Sequence, residues 1–267
     1  MKAVACILAI VWPALATTYA PAAQQGPGEA ATNAPPAAAA SAAPAMSPTA
    51  AIAALRLCGA RVELDESQSV ESVSAVGTKI GDAELAAIAA LPKLESLEIA
   101  GGPITDAGLA HLRGLAGLKR LYLRDLRIGD AGLAHLQGLT SLEVLTLRTT
   151  RITSAGLPYL KGLKQLRVLN LSQDEITDAG LAHLKGLSNL DTLGLQNTKV
   201  TGAGLTYLRA LPKLRVLNLS HCRIADWSLG YLEDSQNLRM LYLEGCSVSD
   251  VGVKRLHDLI DGLAIYR

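Results

Sequence analysis

The sequence repeats every 24 residues, and this period constrains the fold more than any other feature. Seven leucines mark the period: Leu94, Leu118, Leu142, Leu166, Leu190, Leu214 and Leu238. Each leucine begins a phrase of the form L-x-x-L-x-L/I, which is followed by Ile or Val and then by a short helical pattern. A period of about 20–29 residues built in this way is typical of a solenoid whose every turn contributes one strand and one helix. The chain therefore grows by stacking similar units, and each unit contacts mainly its neighbours.

The phrase also predicts which side chains are buried. Residues of a strand alternate between two faces, so the first, fourth and sixth residues point inward and the third and fifth point to the other face. Stacked strands lie about 4.8 Å apart, whereas packed helices need about 8–10 Å. The strands should therefore line the concave side of an arc and the helices its convex side. The helices are predicted to begin at hydroxyl-bearing caps, which are Thr105, Thr153, Thr177 and Thr201.

The first 46 residues differ in composition from the repeats. Residues 1–20 are predicted to be a signal peptide, with a short positive start, an apolar segment and a cleavage site after Ala16 or nearby. This apolar segment is too short to span a bilayer, which takes roughly 20 residues, so no transmembrane segment is expected in the mature chain. Residues 21–46 are rich in Ala and Pro and are predicted to be a disordered tether. The expected location is outside the cytoplasm, in the periplasm or the extracellular space.

The remaining sequence divides into three parts. Residues 47–69 are predicted to form an N-terminal cap with one helix and one strand, because a solenoid needs its first coil covered. Residues 70–261 hold eight repeats, of which the first, at Val70, is degenerate. Residues 262–267 are predicted to add a closing strand.

The repeat phrase resembles a known family. The segment from Ile176 to Leu187, I-T-D-A-G-L-A-H-L-K-G-L, resembles bacterial secreted leucine-rich-repeat proteins of the ribonuclease-inhibitor-like kind. The resemblance covers about residues 61–267 and extends, more distantly, to the repeats of F-box proteins. It implies an α/β fold, a right-handed leucine-rich-repeat solenoid in a horseshoe arc, with the parallel sheet on the concave face. It also implies a non-enzymatic module that binds a protein or peptide.

Two other functions remain open alongside that prediction. One is a structural component of an envelope or matrix, for which the tether supplies reach. The other is a substrate-recognition subunit of a ubiquitin-ligase-like complex. This role is the weaker of the two, because the repeats are preceded by a signal and an Ala/Pro tether and not by an F-box. Composition adds that no nucleic-acid partner is expected, since the net charge is only +1. No cofactor motif is present, and the identity of the partner and the oligomeric state stay open.

The concave face is the predicted binding surface, because aromatic, Met and Arg side chains are enriched at protein interfaces. The predicted contact residues are Arg120, Tyr122, Arg124, Val144, Thr146, Arg148, Val168, Asn170, Asn218, Met240 and Tyr242.

Three arginines of that set, Arg120, Arg124 and Arg148, are predicted to cluster. Together with Arg127 and Arg151 at the rim, they could hold a carboxylate-bearing peptide or an acidic glycan. The alternative is a solvated basic edge that Asp125 partly neutralises.

Cysteine and histidine residues offer further hypotheses. Cys222 and Cys246 occupy the same position in adjacent repeats, so they could form a disulfide or serve as two small buried turn residues. The helix position of His111 recurs at His135 and His183, which suggests either a metal site or a packing ladder, and the packing ladder is favoured.

A third cluster suggests a catalytic hypothesis. Ser220, His221 and Asp226 carry hydrolase side chains, but no nucleophile elbow accompanies them, so no catalytic residue is predicted.

Overall fold

The structure is a computed structural model that describes residues 46–267. The predicted signal peptide at 1–20 and all of the predicted tether except Met46 lie outside the described residues. The described residues form one ten-stranded sheet, with helical segments between most successive strands.

The strands follow one another across the sheet in chain order. The first pair is antiparallel, and every later pair is parallel. In the parallel pairs each residue lies opposite the residue 24 positions later, as Leu97 lies opposite Leu121. The sequence period is therefore the register of the sheet. The bounds are β1 Arg61–Leu64, β2 Val70–Val76, β3 Ser96–Ala100, β4 Arg120–Arg124, β5 Val144–Thr146, β6 Val168–Asn170, β7 Thr192–Gly194, β8 Val216–Asn218, β9 Met240–Tyr242 and β10 Ala264–Tyr266.

The helices of the repeats are shorter and tighter than ordinary α-helices. Most consist of a single α-helical turn that continues as, or follows, a 3-10 turn. Leu109, Leu112 and Leu115 are all buried at a spacing of three residues, which is the period of a 3-10 helix and places all three on one side. The α-helices are α1 Pro48–Leu57, α2 Asp82–Ile88, α3 Asp106–Leu109, α4 Asp130–Leu133, α5 Asp178–Leu181, α6 Leu205–Leu208, α7 Asp226–Leu229 and α8 Asp250–Leu259. The 3-10 segments are Ala110–Leu112, Ala134–Leu136, Ser154–Gly162, Ala182–Gly186, Gly202–Gly204 and Gly230–Leu232.

The core is the space between the sheet and these helices. The leucines at the first, fourth and sixth positions are buried there, and Leu166, Leu169 and Leu171 are each 0% exposed. The predicted burial of these inward positions is confirmed, although the outward residues of β5, β6, β7 and β8 are buried as well. The side chains at the third, fifth and seventh positions lie on the opposite face of the sheet, which we continue to call the concave face.

Aspartates at the start of the helices join successive repeats. Asp130 accepts a hydrogen bond from the backbone N–H of Thr153 at 2.8 Å and another from its hydroxyl at 2.6 Å. The same two bonds link three other pairs, which are Asp82 with Thr105, Asp178 with Thr201 and Asp226 with Ser249. Hydrogen bonds to an ionised carboxylate are stronger than neutral ones, so this ladder ties the convex side together.

The predicted threonine caps are confirmed at three of four positions. The hydroxyls of Thr105, Thr153 and Thr201 each accept a hydrogen bond from a backbone N–H two residues later. Thr177 stands at the cap position but makes no such bond. The preceding repeat has Ser154 where most others have Asp, and the hydroxyls of Ser154 and Thr177 bond to each other at 2.9 Å.

A column of left-handed residues follows the strands. Asp125, Thr149, Gln173, Asn197 and His221 have φ between 54° and 65°. Glycine occupies the equivalent place at Gly101 and Gly245. This conformation costs a non-glycine residue roughly 1–2 kcal/mol, so the turn geometry is imposed by the stacking of repeats and not by local preference. One consequence is that the Gln173 side chain is held beside the concave face.

Candidate binding face

The predicted contact residues occur on one side of the sheet. Ten of the eleven lie in strands β4, β5, β6, β8 and β9, and Arg148 lies two residues beyond the end of β5. Because they occupy the third, fifth and seventh positions of the phrase, they alternate with the buried leucines and project away from the core.

The first part of this face is charged. Arg124 forms an ion pair with Glu98 on the neighbouring strand. The alternative interpretation of the sequence assigned a neutralising role to Asp125, but the ion pair joins Arg124 to Glu98, which lies opposite Tyr122 in the ladder and diagonal to Arg124. Asp125 is exposed and makes no ion pair among the described residues.

Two of the three arginines predicted to cluster are not neutralised by an acidic side chain among the described residues. Arg120 and Arg148 are partly exposed, and neither forms an ion pair within the part of the chain that the structure describes. The Arg148 side chain donates to the amide oxygen of Gln173 at 3.1 Å, and Thr149 donates to the same oxygen at 2.7 Å. Gln173 therefore restricts the Arg148 guanidinium without neutralising it.

Tyr122 lies between Arg120 and Arg124 on β4. Burial raises the pKa of its phenol above the usual value, while the positive charge of Arg120 acts in the opposite direction. Glu98 raises the same pKa and Arg124 lowers it. The phenol is thus neutral at physiological pH, and it can donate a hydrogen bond beside two cationic side chains.

The middle of the face differs from the sequence prediction. Val144, Thr146, Val168, Asn170 and Asn218 each have less than a tenth of their surface exposed. These five predicted contact residues are therefore largely inaccessible in the structure. They are short, and each lies in register with a side chain on at least one neighbouring strand, as Asn218 lies opposite Tyr242.

The two asparagines also have a structural role that the sequence prediction missed. The Asn170 side-chain oxygen accepts from the backbone N–H of Ser172 at 2.9 Å. The Asn218 oxygen accepts from Ser220 at 2.7 Å. Asn side chains commonly bond their own backbone two residues on, so this Asn at the end of a strand is a turn signal that the sequence did carry.

The far end of the face is aromatic. Tyr242 stacks on Tyr266 with ring centroids 4.7 Å apart and planes 13° from parallel. The Tyr242 hydroxyl lies 3.8 Å from the sulfur of Met240. Tyr266 belongs to the closing strand and was not among the predicted contacts, although it is 48% exposed. Met240, Tyr242 and Tyr266 therefore form a second, apolar end of the concave face.

The two cysteines do not form a disulfide. Cys222 and Cys246 are both free thiols. The Cys222 thiol donates to the carbonyl of Leu195 at 3.0 Å, and the Cys246 thiol donates to Leu219 at 3.1 Å. Each thiol is thus directed one repeat back along the solenoid, and the two side chains run parallel instead of converging. Burial raises the pKa of both thiols, which keeps them protonated as donors.

The column that holds these cysteines contains an unusual acid. Asp174 is 3% exposed, and one of its oxygens accepts from the N–H of Thr150 at 2.7 Å and from its hydroxyl at 2.9 Å. Its other oxygen is buried and has no hydrogen-bond partner. Burial raises the pKa of Asp174 to about 7. Neighbouring members of the column, Thr198 and Cys222, donate to backbone carbonyls, which a carboxylate cannot do.

Asp174→Asn should therefore change how stability depends on pH. The folded-state pKa of Asp174 lies above the unfolded value of about 3.9. At pH values between the two, the folded state binds a proton that the unfolded state does not, so the free energy of unfolding falls as pH rises through this range. At about 1.36 kcal/mol per pKa unit the wild type should lose about 2–4 kcal/mol between pH 4 and pH 8. The amide does not titrate, so the free energy of unfolding of the variant should not fall in this way between pH 4 and pH 8. At pH 8 the variant should therefore be more stable than the wild type. Urea unfolding at several pH values measures this, and an unchanged pH slope in the variant would contradict it.

The other chemical hypotheses do not assemble into a site. The Asp226 carboxylate is bonded to Ser249 at 2.5 and 2.8 Å, and these bonds lower its pKa. Ser220 is buried, whereas the exposed His221 side chain lies over Gly245. His135 approaches the guanidinium of Arg113 at 2.6 Å, and no cluster of metal-ligating side chains occurs between residues 46 and 267.

None of the helices described is long and apolar enough to cross a membrane.

Comparison with known proteins agrees with the architecture. A leucine-rich-repeat family model matches residues 140–200 and 188–248, and a second leucine-rich-repeat model matches residues 90–112. The repeats and the open parallel sheet define a leucine-rich-repeat solenoid. No curated protein matches the sequence.

Solved structures show the same fold. Internalin C2 from Listeria monocytogenes is 26% identical, with a TM-score of 0.60 over 82% of this chain and 92% of that protein. A plant ice-binding protein is 21% identical, with a TM-score of 0.56 over 76% of this chain and 66% of that one. The second likeness concerns the fold alone. Proteins with such repeats commonly serve as protein-interaction modules and are generally not enzymes.

Proposed function

We propose that this chain is an exported, non-enzymatic leucine-rich-repeat module that binds an acidic segment of a protein or peptide on its concave face. The observation that carries the proposal is that Arg120 and Arg148 lie on the same face of the sheet, are partly exposed and form no ion pair among the described residues, with the neutral phenol of Tyr122 next to Arg120. Guanidinium groups bind carboxylates through two parallel hydrogen bonds. Both arginines are available to a ligand carboxylate, because the nearby Glu98 is already paired with Arg124.

The shape of the module supports the same proposal. Ten strands at about 4.8 Å give a face roughly 40 Å long, which suits an extended segment. The arginines lie near its start and Met240, Tyr242 and Tyr266 near its end, so a ligand that is acidic at one end and apolar at the other fits both. Export rests on the sequence of residues 1–20.

Substituting the two free arginines tests this proposal. Arg120→Glu/Arg148→Glu should abolish capture of a partner from envelope and culture-medium fractions, while thermal stability stays close to that of the wild type. The matched control is Lys161→Glu/Lys185→Glu, which makes the same charge change at two exposed positions on the helical side. Quantitative mass spectrometry of the captured proteins is the measurement.

The outcomes separate the functions. A partner held by the wild type and the control but lost by the arginine variant supports concave-face binding. Equal capture by all three proteins would overturn the arginine site. No partner in any fraction would favour the structural envelope or matrix role.

A further inference from the structure

A row of charged side chains runs along the sheet where the strands begin. Backbone hydrogen bonds of 2.8–3.0 Å connect it without interruption, because the N–H of each member bonds the carbonyl of the member before it. None of the eight side chains is buried. The row is therefore a regular array with about 4.8 Å per step and a length of roughly 34 Å. We call it the strand-start row, and its members are Glu71, Glu95, Lys119, Glu143, Arg167, Asp191, Arg215 and Arg239.

The order of charges along the strand-start row is self-complementary. The signs run minus, minus, plus, minus, plus, minus, plus, plus. When the row is read backwards, every sign is inverted. A two-fold axis through the middle of the row, between Glu143 and Arg167, reverses the order and so places every charge opposite one of the other sign. Contacts about a two-fold axis use the same patch on both subunits, and such a patch must be self-complementary.

Pairing within one chain does not account for this order. Among neighbours in the row, only Lys119 and Glu95 form an ion pair within the described residues, at 2.7 Å. At one end the acids Glu71 and Glu95 are adjacent, and at the other Arg215 and Arg239 are adjacent, so the terminal charges of Glu71 and Arg239 have only a neighbour of the same sign in the row. The first half of the row holds three acids and one lysine, and the second half holds three arginines and one aspartate. The halves therefore carry net charges of −2 and +2.

We propose that a second copy of this chain docks on the strand-start row, forming a two-fold symmetric dimer. Glu95 of one copy pairs with Arg215 of the other, and Glu71 pairs with Arg239. Lys119 and Asp191 pair in the same way, as do Glu143 and Arg167. Symmetry repeats each contact, which gives eight ion pairs. A different partner protein would not require the inverted order, so the pattern favours a second copy.

Charge reversal at one pair tests the dimer. Arg215 is exposed and makes no side-chain hydrogen bond or ion pair among the described residues, so Arg215→Glu should leave folding intact. In the variant dimer the Glu95 of each copy would face the glutamate introduced at position 215 of the other copy, so the dimer would contain two repulsive contacts. Because two attractive contacts become repulsive, the dissociation constant should rise by about 100-fold or more. Glu95→Arg should have the same effect, since it sets arginine against arginine.

Mixing the two variants gives the sharpest result. A chain with Arg215→Glu and a chain with Glu95→Arg are complementary at both contacts, so the mixture should dimerise although neither variant does so alone. Lys185→Glu is the matched control and should dimerise as the wild type does. The measurement is sedimentation equilibrium of the chain as purified after export, at about 20 mM and about 500 mM salt, because screening should weaken the wild-type dimer.

Each outcome decides the proposal. A salt-sensitive wild-type dimer, monomeric single variants and a restored heterodimer support it. A wild type that stays monomeric at about 200 μM in low salt overturns it, as do single variants that dimerise like the wild type. Circular dichroism checks the fold of each chain. If Glu95→Arg does not fold, the mixture of Glu71→Arg with Arg239→Glu tests the terminal pair by the same logic.

Discussion

Replacing Leu169 by alanine should lower the free energy of unfolding by about 2–5 kcal/mol, the usual cost of truncating a buried leucine. Leu169 is 0% exposed and lies in register between Leu145 and Leu193, which are also 0% exposed. The cavity would weaken two interfaces between repeats at the centre of the stack. In a solenoid these interfaces supply much of the stability, because each repeat contacts mainly its neighbours.

Urea unfolding followed by circular dichroism measures the effect of Leu169→Ala. The matched control is Gln165→Ala, one residue before the same phrase, whose side chain is exposed and should contribute within about 0.5 kcal/mol. Similar losses in both variants would contradict the assignment of Leu169 to the core.

A second large effect should come from the compensating pair Gly202 and Ser228. In most repeats an aspartate begins the helix and a glycine lies opposite it in the next repeat. A Cβ on Gly204 would come within 2.4 Å of an oxygen of Asp178. At Gly202 the aspartate is missing, and the next repeat has Ser228 in place of glycine. A Cβ added to Gly202 would come within 2.2 Å of the Ser228 Cβ.

Gly202→Asp alone should therefore destabilise the protein by about 1–3 kcal/mol, as overpacking of a filled site does. Ser228→Gly alone should also destabilise the protein, because it leaves a void in the core and gives the backbone more conformational freedom in the unfolded chain. The double variant should recover most of the loss, since the introduced carboxylate would then occupy the vacated space. That carboxylate could accept from the N–H of Ala225, as Asp106 accepts from that of Gly129 at 2.6 Å.

A double-mutant cycle measures this coupling, which we expect to be about 1–3 kcal/mol in favour of the double variant. Gly186→Ser serves as a control, because the nearest atom to its added Cβ is the flexible end of the Lys164 side chain. Additive losses from Gly202→Asp and Ser228→Gly would show that the two positions are independent.

Much of the fold could be predicted from the phrase itself. Leu97 and Ile99 follow the two-residue period of a strand, and their burial depends only on alternation and on the apolar character of the side chains. The 24-residue period also predicted which residues face one another across the sheet. The helix type was less evident, because buried leucines three residues apart fit one side of either an α-helix or a 3-10 helix over so short a segment.

The candidate site could be predicted only in part. The sequence placed Arg120 and Arg148 on the concave face, but the ion pair between Arg124 and Glu98 joins residues 26 positions apart. The unsatisfied oxygen of Asp174 has a similar origin, since its environment depends on donors and acceptors in adjacent repeats. The free thiols of Cys222 and Cys246 depend on side-chain directions, which sequence spacing does not specify.

The sequence by itself determined the solenoid, its register and the order of charges along the strand-start row, because all three follow from one period repeated without insertions. Only the tertiary structure decided which of the outward side chains remain accessible, which arginines stay unpaired and which aspartate is buried with a raised pKa. Those properties depend on distances of a few ångströms between repeats. Such distances are set by the packing of whole neighbouring units, which no single 24-residue phrase contains.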